Sequence, residues 1–176
     1  MIEAMRDRFP DQLDLPGPLW SRQTVATLAE RLHDSPMSPA AAARYLRAWG
    51  LTTREPLDRA CPLCAAQVVR WQAEVYPTIS HTAQKQRAEL CWLGKSRLHG
   101  VASTTEVVSA VSARGWIRFM FTTSPDLPRA FLSRLLPPSG RPAHVVVDGS
   151  WSHPEWPRRA PDGVILHALP CCERVR

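Results

Sequence analysis

The residues of this chain whose types and spacing best suit chemistry are Asp148 and His153. Asp148 directly follows the apolar run at 143–147, and His153 lies five residues further along. A carboxylate at the end of a buried strand is held rigidly where a loop opens to solvent, and carboxylate oxygens are ligands that Mg²⁺ favours. The pattern therefore predicts a divalent-metal ligand at Asp148 with an imidazole nearby.

Short apolar runs from Ala88 onward have the lengths and the β-branched or aromatic content of strands. We predict five strands, at 88–93, 106–111, 116–121, 143–148 and 164–169. Gly115 permits a tight turn between the second and third strands, and a helix over roughly 127–136 leads to the fourth. A hairpin, a crossover helix and a buried strand predict an α/β sheet whose central strand ends at Asp148.

Two helices are predicted in the first third of the chain. Ser21 is a candidate N-cap for a helix that ends near His33, with apolar residues at three- and four-residue spacing, namely Val25, Leu28, Ala29 and Leu32. Ser38 caps a second helix, Pro39 takes its first position and Gly50 ends it; its apolar stripe is Ala42, Tyr45, Leu46 and Trp49. A helix, a short turn and a helix are the footprint of a helix-turn-helix.

Basic and polar side chains of this segment are candidate contacts to DNA, whose major groove the second helix of such a motif enters. The candidates are Arg22, Ser38, Arg44, Arg47, Arg54 and Arg59. The last two, Arg54 and Arg59, lie in a connector that leads to a third predicted helix at about 65–79. We expect them to contact phosphates of the DNA backbone. Alanines at 40, 41 and 43 are expected to face solvent, so we expect poor base readout. A purely structural helical hairpin is the alternative.

Composition and charge favour a polyanionic partner. The chain has 176 residues, 44% of them hydrophobic, which is enough to form one domain with a small additional module. The formal net charge is +6, and all but two of the 22 basic residues, Lys85 and Lys95, are arginine, whose planar fork suits phosphates and guanine edges. A coding bias towards arginine with ordinary solubilising charge is the alternative that charge alone leaves open.

Cysteines and the N-terminal residues indicate a cytoplasmic protein. The five cysteines do not suggest a disulfide framework, because their number is odd and Cys171 and Cys172 are adjacent. Cys61 and Cys64 have zinc-knuckle spacing, but no second pair follows at finger or ribbon spacing. The N-terminus carries charges where a signal peptide needs an apolar core, and no apolar run approaches the roughly 18 residues of a membrane span. We therefore expect no export and no membrane.

Two histidines beside apolar runs have a structural interpretation. His144 and His167 each lie in a predicted strand. We expect their ring nitrogens to be hydrogen-bonded within the fold, and we do not expect them to act as metal ligands.

Four segments, taken in chain order, carry a family resemblance. They are Leu19-Trp-Ser-Arg-Gln-Thr-Val-Ala-Thr-Leu; Arg44-Tyr-Leu-Arg-Ala-Trp-Gly-Leu-Thr; Val108-Ser-Ala-Val-Ser-Ala-Arg-Gly with Arg118-Phe-Met; and Val145-Val-Val-Asp-Gly-Ser-Trp-Ser-His. In order and spacing they resemble bacterial insertion-sequence transposases of the mariner-like superfamily. The resemblance implies a winged helix-turn-helix that binds transposon ends, followed by a ribonuclease H-like domain whose three carboxylates hold two metal ions for DNA cleavage and strand transfer.

The chain departs from that pattern at the metal site. By resemblance, Asp148 matches the second acid and His153 matches the catalytic histidine that follows it. The first acid belongs in a run like Trp-Gly-Asp-Glu after the first strand, and Gly94 and Lys95 stand there instead. An ammonium group repels a metal ion, and the third acid would fall beyond Arg176. One acid of the triad is therefore expected, and strand transfer is expected to be impaired.

Together these patterns predict an α/β protein with a helix-turn-helix module and linker over 1–80 and a partial, reduced ribonuclease H-like mixed sheet over 81–176. We expect a transposase-derived, nucleoid-associated protein that binds double-stranded DNA. The sequence leaves open whether the protein forms a homodimer. Mg²⁺ or Mn²⁺ at Asp148 is expected only where activity is retained. The alternatives are a non-catalytic regulator, such as a repressor or a domesticated transcription factor, and an interaction module or decaying fragment.

Overall fold

The computed structural model describes residues 1–51, 64–98, 106–112, 114–122, 129–136, 139–147 and 160–170. Within these ranges the helices are α1 (Ile2–Asp7), α2 (Arg22–His33), α3 (Pro39–Ala48), α4 (Ala65–Glu74), α5 (Tyr76–Lys85) and α6 (Arg129–Leu135). The strands are β1 (Trp20–Ser21), β2 (Glu89–Arg97), β3 (Glu106–Ser112), β4 (Ile117–Thr122), β5 (Ala143–Val147) and β6 (Val164–Ala168). A 3₁₀ turn spans Pro10–Leu13.

Helices α2 and α3 begin where their capping residues predict. The Ser21 hydroxyl accepts a hydrogen bond from the Thr24 amide at 3.2 Å, and the Ser38 hydroxyl accepts one from the Ala41 amide at 3.1 Å. Each bond satisfies an amide that has no partner within its own helix. Both predicted helices and both caps are confirmed, but Leu32, predicted in the apolar stripe of α2, is exposed.

The third helix was predicted as one element, and that prediction is wrong. Two helices, α4 and α5, meet at Val75, and the chain continues as helix to Lys85. Pro77 lacks an amide hydrogen and disfavours ordinary helical geometry at the residue before it, so it is tolerated in the first turn of a new helix but not within a continuous one. The short helix α1 and the 3₁₀ turn were not predicted.

All described strands belong to one mixed sheet with the order β1-β4-β3-β2-β5-β6. Strands β2, β3 and β4 are antiparallel neighbours, whereas β5 runs parallel to both β2 and β6. The five predicted strands are present, and β2 continues to Arg97, beyond its expected end. The two-residue strand β1 is additional and places Trp20 opposite Phe119 of β4.

Helices cover both faces of this sheet. On one face α2 and α3 share a hydrophobic core with β3 and β4, which includes Trp20, Val25, Leu46, Val107 and Phe119. On the other face α6 buries Phe131, Leu132 and Leu135 against residues of β2, β3 and β5. A third cluster joins Val68 and Trp71 of α4 and Tyr76 of α5 to Trp92 and Val146. The mixed α/β architecture is confirmed. Two of the hydrophobic clusters join helices before residue 80 to strands after it. The domain boundary near residue 80 stays a prediction.

In the described ranges, no helix combines the length and the apolar content needed to cross a bilayer.

Candidate nucleic-acid interface and strand-end site

Helix α3 packs one side on the core and presents the other to solvent. Ala42 and Leu46 are buried on its inner side, while Arg44 and Arg47 are exposed three residues apart on its outer side. Residues at this spacing are neighbours on a helix surface, so the two guanidinium groups form one basic patch. The patch lies on the second helix of the pair, which is the helix that a helix-turn-helix would place against DNA.

The patch of Arg44 and Arg47 has no counter-charge among the described residues. Within the part of the chain that the structure describes, Arg44 and Arg47 form no ion pair and no side-chain hydrogen bond. Unpartnered arginines on a convex helical surface keep all their donors for an external acceptor such as a phosphate oxygen.

The predicted apolar stripe of α3 is wrong at Tyr45. Its side chain is 49% exposed, and its ring lies 6.5 Å from that of Trp49, which is half-buried. The reason is that Ala42 and Leu46, four residues apart, already fill the inner side of the helix, so Tyr45 lies at its margin. An exposed aromatic ring therefore stands beside the two arginines.

The alanines near the start of α3 are only partly at the surface. Ala40 is exposed as predicted, but Ala41 and Ala43 are half-buried. Methyl groups offer no hydrogen bond to a base edge, so this turn of the helix has little capacity for direct base readout.

Two of the predicted DNA contacts have partners inside the protein. The Arg22 guanidinium donates to the carbonyl oxygen of Gly115 at 2.8 Å and thereby ties α2 to the β3–β4 turn. Gly115 has a φ of 78°, a left-handed conformation that glycine adopts without strain. Ser38 is the cap of α3. Direct contacts of Arg22 and Ser38 with DNA stay predictions.

The other predicted site residues, Arg54, Arg59, Asp148 and His153, lie outside the described residues. The structure does describe the strand that leads to Asp148: β5 is buried along its whole length and ends at Val147. Strand β2 runs parallel to it, pairing Trp92 with Val146, and then continues past this last pair to Arg97.

Charged side chains of β2 and β3 meet in this extension. The Lys95 ammonium lies 2.5 Å from one carboxylate oxygen of Glu106, and the Arg97 guanidinium lies 3.7 Å from the other. Lys95 and Glu106 are both three-quarters buried, whereas Arg97 is exposed. Two cations therefore neutralise one carboxylate. Sequence spacing does not predict this group, because the pairing follows from the antiparallel register that sets Arg97 opposite Glu106.

The side chains described at this end of the sheet do not fit a pair of divalent cations. Lys95 occupies a position where the resemblance requires an acid, and a nearby positive charge disfavours a bound cation. Glu106 is already engaged by Lys95 and Arg97. Among the described residues, no three or more potential metal ligands come together.

His144 and His167 form a stacked pair on β5 and β6. Their ring planes differ by 9°, and His144 Nδ1 lies 2.9 Å from His167 Nε2. His144 Nε2 lies 2.9 Å from Gln86 Oε1; with that oxygen as acceptor, His144 donates from Nε2 and accepts from His167 at Nδ1. Burial lowers the pKa of both rings, that of His167 to about 4 with a further contribution from His144. The predicted hydrogen-bonded role is confirmed.

Cys91 is unsuited to nucleophilic or metal chemistry. Its side chain is fully buried on β2, and burial, followed by the charge of Glu89, raises the pKa of its thiol to about 12. A thiol with so high a pKa carries no thiolate at neutral pH. Cys64 is also buried, and Cys61 of the same predicted pair lies outside the described residues.

Comparisons of this chain with protein-family models, with curated proteins and with solved structures find no match.

Proposed function

We propose that this chain is a DNA-binding protein derived from an insertion-sequence transposase, with α2 and α3 as its helix-turn-helix and with impaired strand-transfer chemistry. The observation that carries the proposal is the basic patch of Arg44 and Arg47. It lies on the outer side of α3, it has no partner inside the described protein, and the inner side of the same helix is anchored in the core.

The sheet supports the proposed descent. Three antiparallel strands, β2 to β4, are followed by helix α6 and then by β5 and β6, which run parallel to β2. This order of strands and directions is what the proposed ribonuclease H-like ancestry predicts, and it therefore supports the proposal. It makes β2 and β5 adjacent central strands, and these are the strands whose ends carry the first two acids in the family that the sequence resembles.

The ion pair of Lys95 and Glu106 supports the loss of chemistry. Two-metal catalysis needs several carboxylates to balance the charge of the ions while positions stay open for the attacking and leaving oxygens. Asp148 would hold Mg²⁺ or Mn²⁺, which polarises the scissile phosphate when bound, and His153 would lie near it. On the neighbouring strand β2, Lys95 stands where the resemblance requires an acid, and it is paired with Glu106.

DNA binding is tested by fluorescence anisotropy with a labelled duplex over a series of salt concentrations. We expect affinity to fall steeply with salt, with a logarithmic slope of about −0.9 per neutralised phosphate. The double variant Arg44→Ala with Arg47→Ala should weaken binding at least tenfold and reduce the slope by about two. Arg129→Ala, at an exposed arginine of α6, is the matched control and should bind like the wild type. Unchanged binding by the double variant would refute the proposal.

The state of the chemistry is tested separately, with supercoiled and end-sequence DNA in Mg²⁺ or Mn²⁺. We expect no nicking by the wild-type protein and chelator-insensitive DNA binding. Metal-dependent nicking that disappears in Asp148→Ala would show that the chemistry survives.

A second candidate function is a non-catalytic regulator, such as a repressor of transposition. The ion pair of Lys95 and Glu106 favours it, since a charge-neutralised strand end keeps the sheet as a scaffold without a metal. Both candidates require DNA binding by α3. Both also predict no nicking, so metal-dependent cleavage that disappears in Asp148→Ala would exclude the regulator and would favour a transposase that retains chemistry.

A further inference from the structure

A cleft of about 400 Å³ opens at the end of the sheet opposite to Lys95. It lies where β2 and β5 begin, and its walls come from α5, the start of β2, the β3–β4 turn and the segment that enters β5. Its volume is in the range of small-ligand sites in proteins. The basic patch on α3 does not contribute to it.

Three arginines from separate segments line this cleft. Arg87 follows α5, Arg114 lies in the β3–β4 turn and Arg141 precedes β5. All three are exposed, and among the described residues none of their guanidinium groups forms an ion pair or a hydrogen bond. Like charges gathered in one cleft repel one another, so a bound anion would lower the free energy of the arrangement.

The remaining polar lining is compatible with an anion. Ser80, Ser112 and Ser139 line the same cleft, and a serine hydroxyl can donate a hydrogen bond. Glu89 is the single carboxylate among the lining residues, and it is half-buried. Three guanidinium groups against one carboxylate leave the lining with an excess of positive charge.

Arg87 has a backbone conformation that is unfavourable for an arginine. Arg87 has a φ of 52°, in the left-handed region that favours glycine, at the turn where the Ala88 amide closes α5 on the Ala83 carbonyl oxygen at 2.8 Å. Glycine is the usual residue at such a helix end. The other described non-glycine residues with positive φ are Asp14 and Asp34, a residue type that tolerates this conformation better. A long cationic side chain at a strained position suggests a role in binding.

We propose that this cleft binds the phosphate groups of a small anionic ligand of nucleotide size, through Arg87, Arg114 and Arg141. Guanidinium groups recognise phosphate oxygens through paired, charge-assisted hydrogen bonds, and serine hydroxyls complete such sites. The site is distinct from the DNA-binding function proposed for α3, and it uses none of the same residues.

The test is isothermal titration calorimetry of the full chain with pyrophosphate and with adenosine monophosphate, at fixed ionic strength in chloride. We expect one site per chain for pyrophosphate. Arg141→Ala and Arg114→Ala should each weaken binding on the order of tenfold, the effect of removing a charge-assisted hydrogen bond. Arg129→Ala is the control and should bind like the wild type.

A variant of Arg87 separates binding from folding. Arg87→Gly relieves the left-handed backbone, so it should raise the midpoint of thermal unfolding while it weakens pyrophosphate binding on the order of tenfold. The variant Arg44→Ala with Arg47→Ala should leave pyrophosphate binding unchanged. Absence of saturable binding, or binding unaffected by the cleft variants, overturns the proposal. The proposal is also overturned if the cleft variants weaken binding of duplex DNA but not of pyrophosphate. The cleft would then be an extension of the DNA-binding surface.

Discussion

At the scale of single residues, the histidine pair shows how the fold changes the chemistry of a side chain. His144 and His167 come together because parallel pairing sets His167 beside Val146 and places both rings on the same face. Their shared hydrogen bond needs an unprotonated acceptor nitrogen, and burial lowers the pKa of both rings. The pair is therefore neutral at neutral pH and serves as a structural contact.

The pair predicts that acid destabilises the protein. The folded pKa of His167 is about 4, below the ordinary value of 6.5, so the unfolded chain takes up a proton first as pH falls. The free energy of unfolding should drop between about pH 6.5 and 4, by roughly 1–2 kcal/mol after allowance for partial exposure. Chemical denaturation of the wild type and of His167→Gln at several pH values measures this.

In His167→Gln the pH dependence between about 6.5 and 4 should be flatter. His81→Gln, at an exposed histidine of α5, should keep the wild-type profile. Equal slopes in His167→Gln and the wild type would contradict the assignment.

For helices and strands, the sequence predicts those features that residues close together in the chain determine. Caps at Ser21 and Ser38 locate α2 and α3, and β-branched runs locate the strands. The ion pair of Lys95 and Glu106 depends on strand register, and the hydrogen bond of Arg22 to Gly115 depends on how α2 docks on a distant turn. Such contacts join residues far apart in the chain, so periodicity and spacing do not predict them. The exposure of the α3 arginines was predictable, but their lack of partners among the described residues was not.

The N-terminal segment is held on α6 by one arginine. The Arg134 guanidinium lies 3.9 Å from the centre of the Phe9 ring, and it donates to an Asp11 carboxylate oxygen and to the Pro18 carbonyl oxygen, each at 3.1 Å. Arg134→Ala should lower the free energy of unfolding by about 1–2 kcal/mol, since an exposed ion pair and a cation–π contact are each worth at most about 1 kcal/mol.

Arg129→Ala on the same helix should change stability by less than about 0.5 kcal/mol. Limited proteolysis adds a local measurement, because loss of the Arg134 contacts should speed cleavage within the first 20 residues. If Arg134→Ala and Arg129→Ala have the same stability and the same rate of cleavage, the contacts of Arg134 do not contribute to stability.

At the scale of the whole molecule, the helices and the sheet form a shared core. Trp20 belongs to the sheet through β1, and Val25 of α2 and Leu46 of α3 pack in the same cluster as Phe119 of β4. The basic patch is therefore mounted on a helix pair whose position depends on the sheet. This arrangement suits a DNA-binding surface, because rigid support limits the entropy lost on binding.

A shared core predicts one cooperative unfolding transition. Val25→Ala in α2 should cost about 2 kcal/mol, and Phe131→Ala in α6 about 3–5 kcal/mol, from lost apolar burial and the cavities left behind. Because the helical half and the sheet unfold together, both variants should shift the same transition, whether it is followed by far-ultraviolet circular dichroism or by tryptophan fluorescence. Two independently folding units would instead give two transitions, with Val25→Ala shifting one and Phe131→Ala the other. That outcome would support the predicted domain boundary near residue 80.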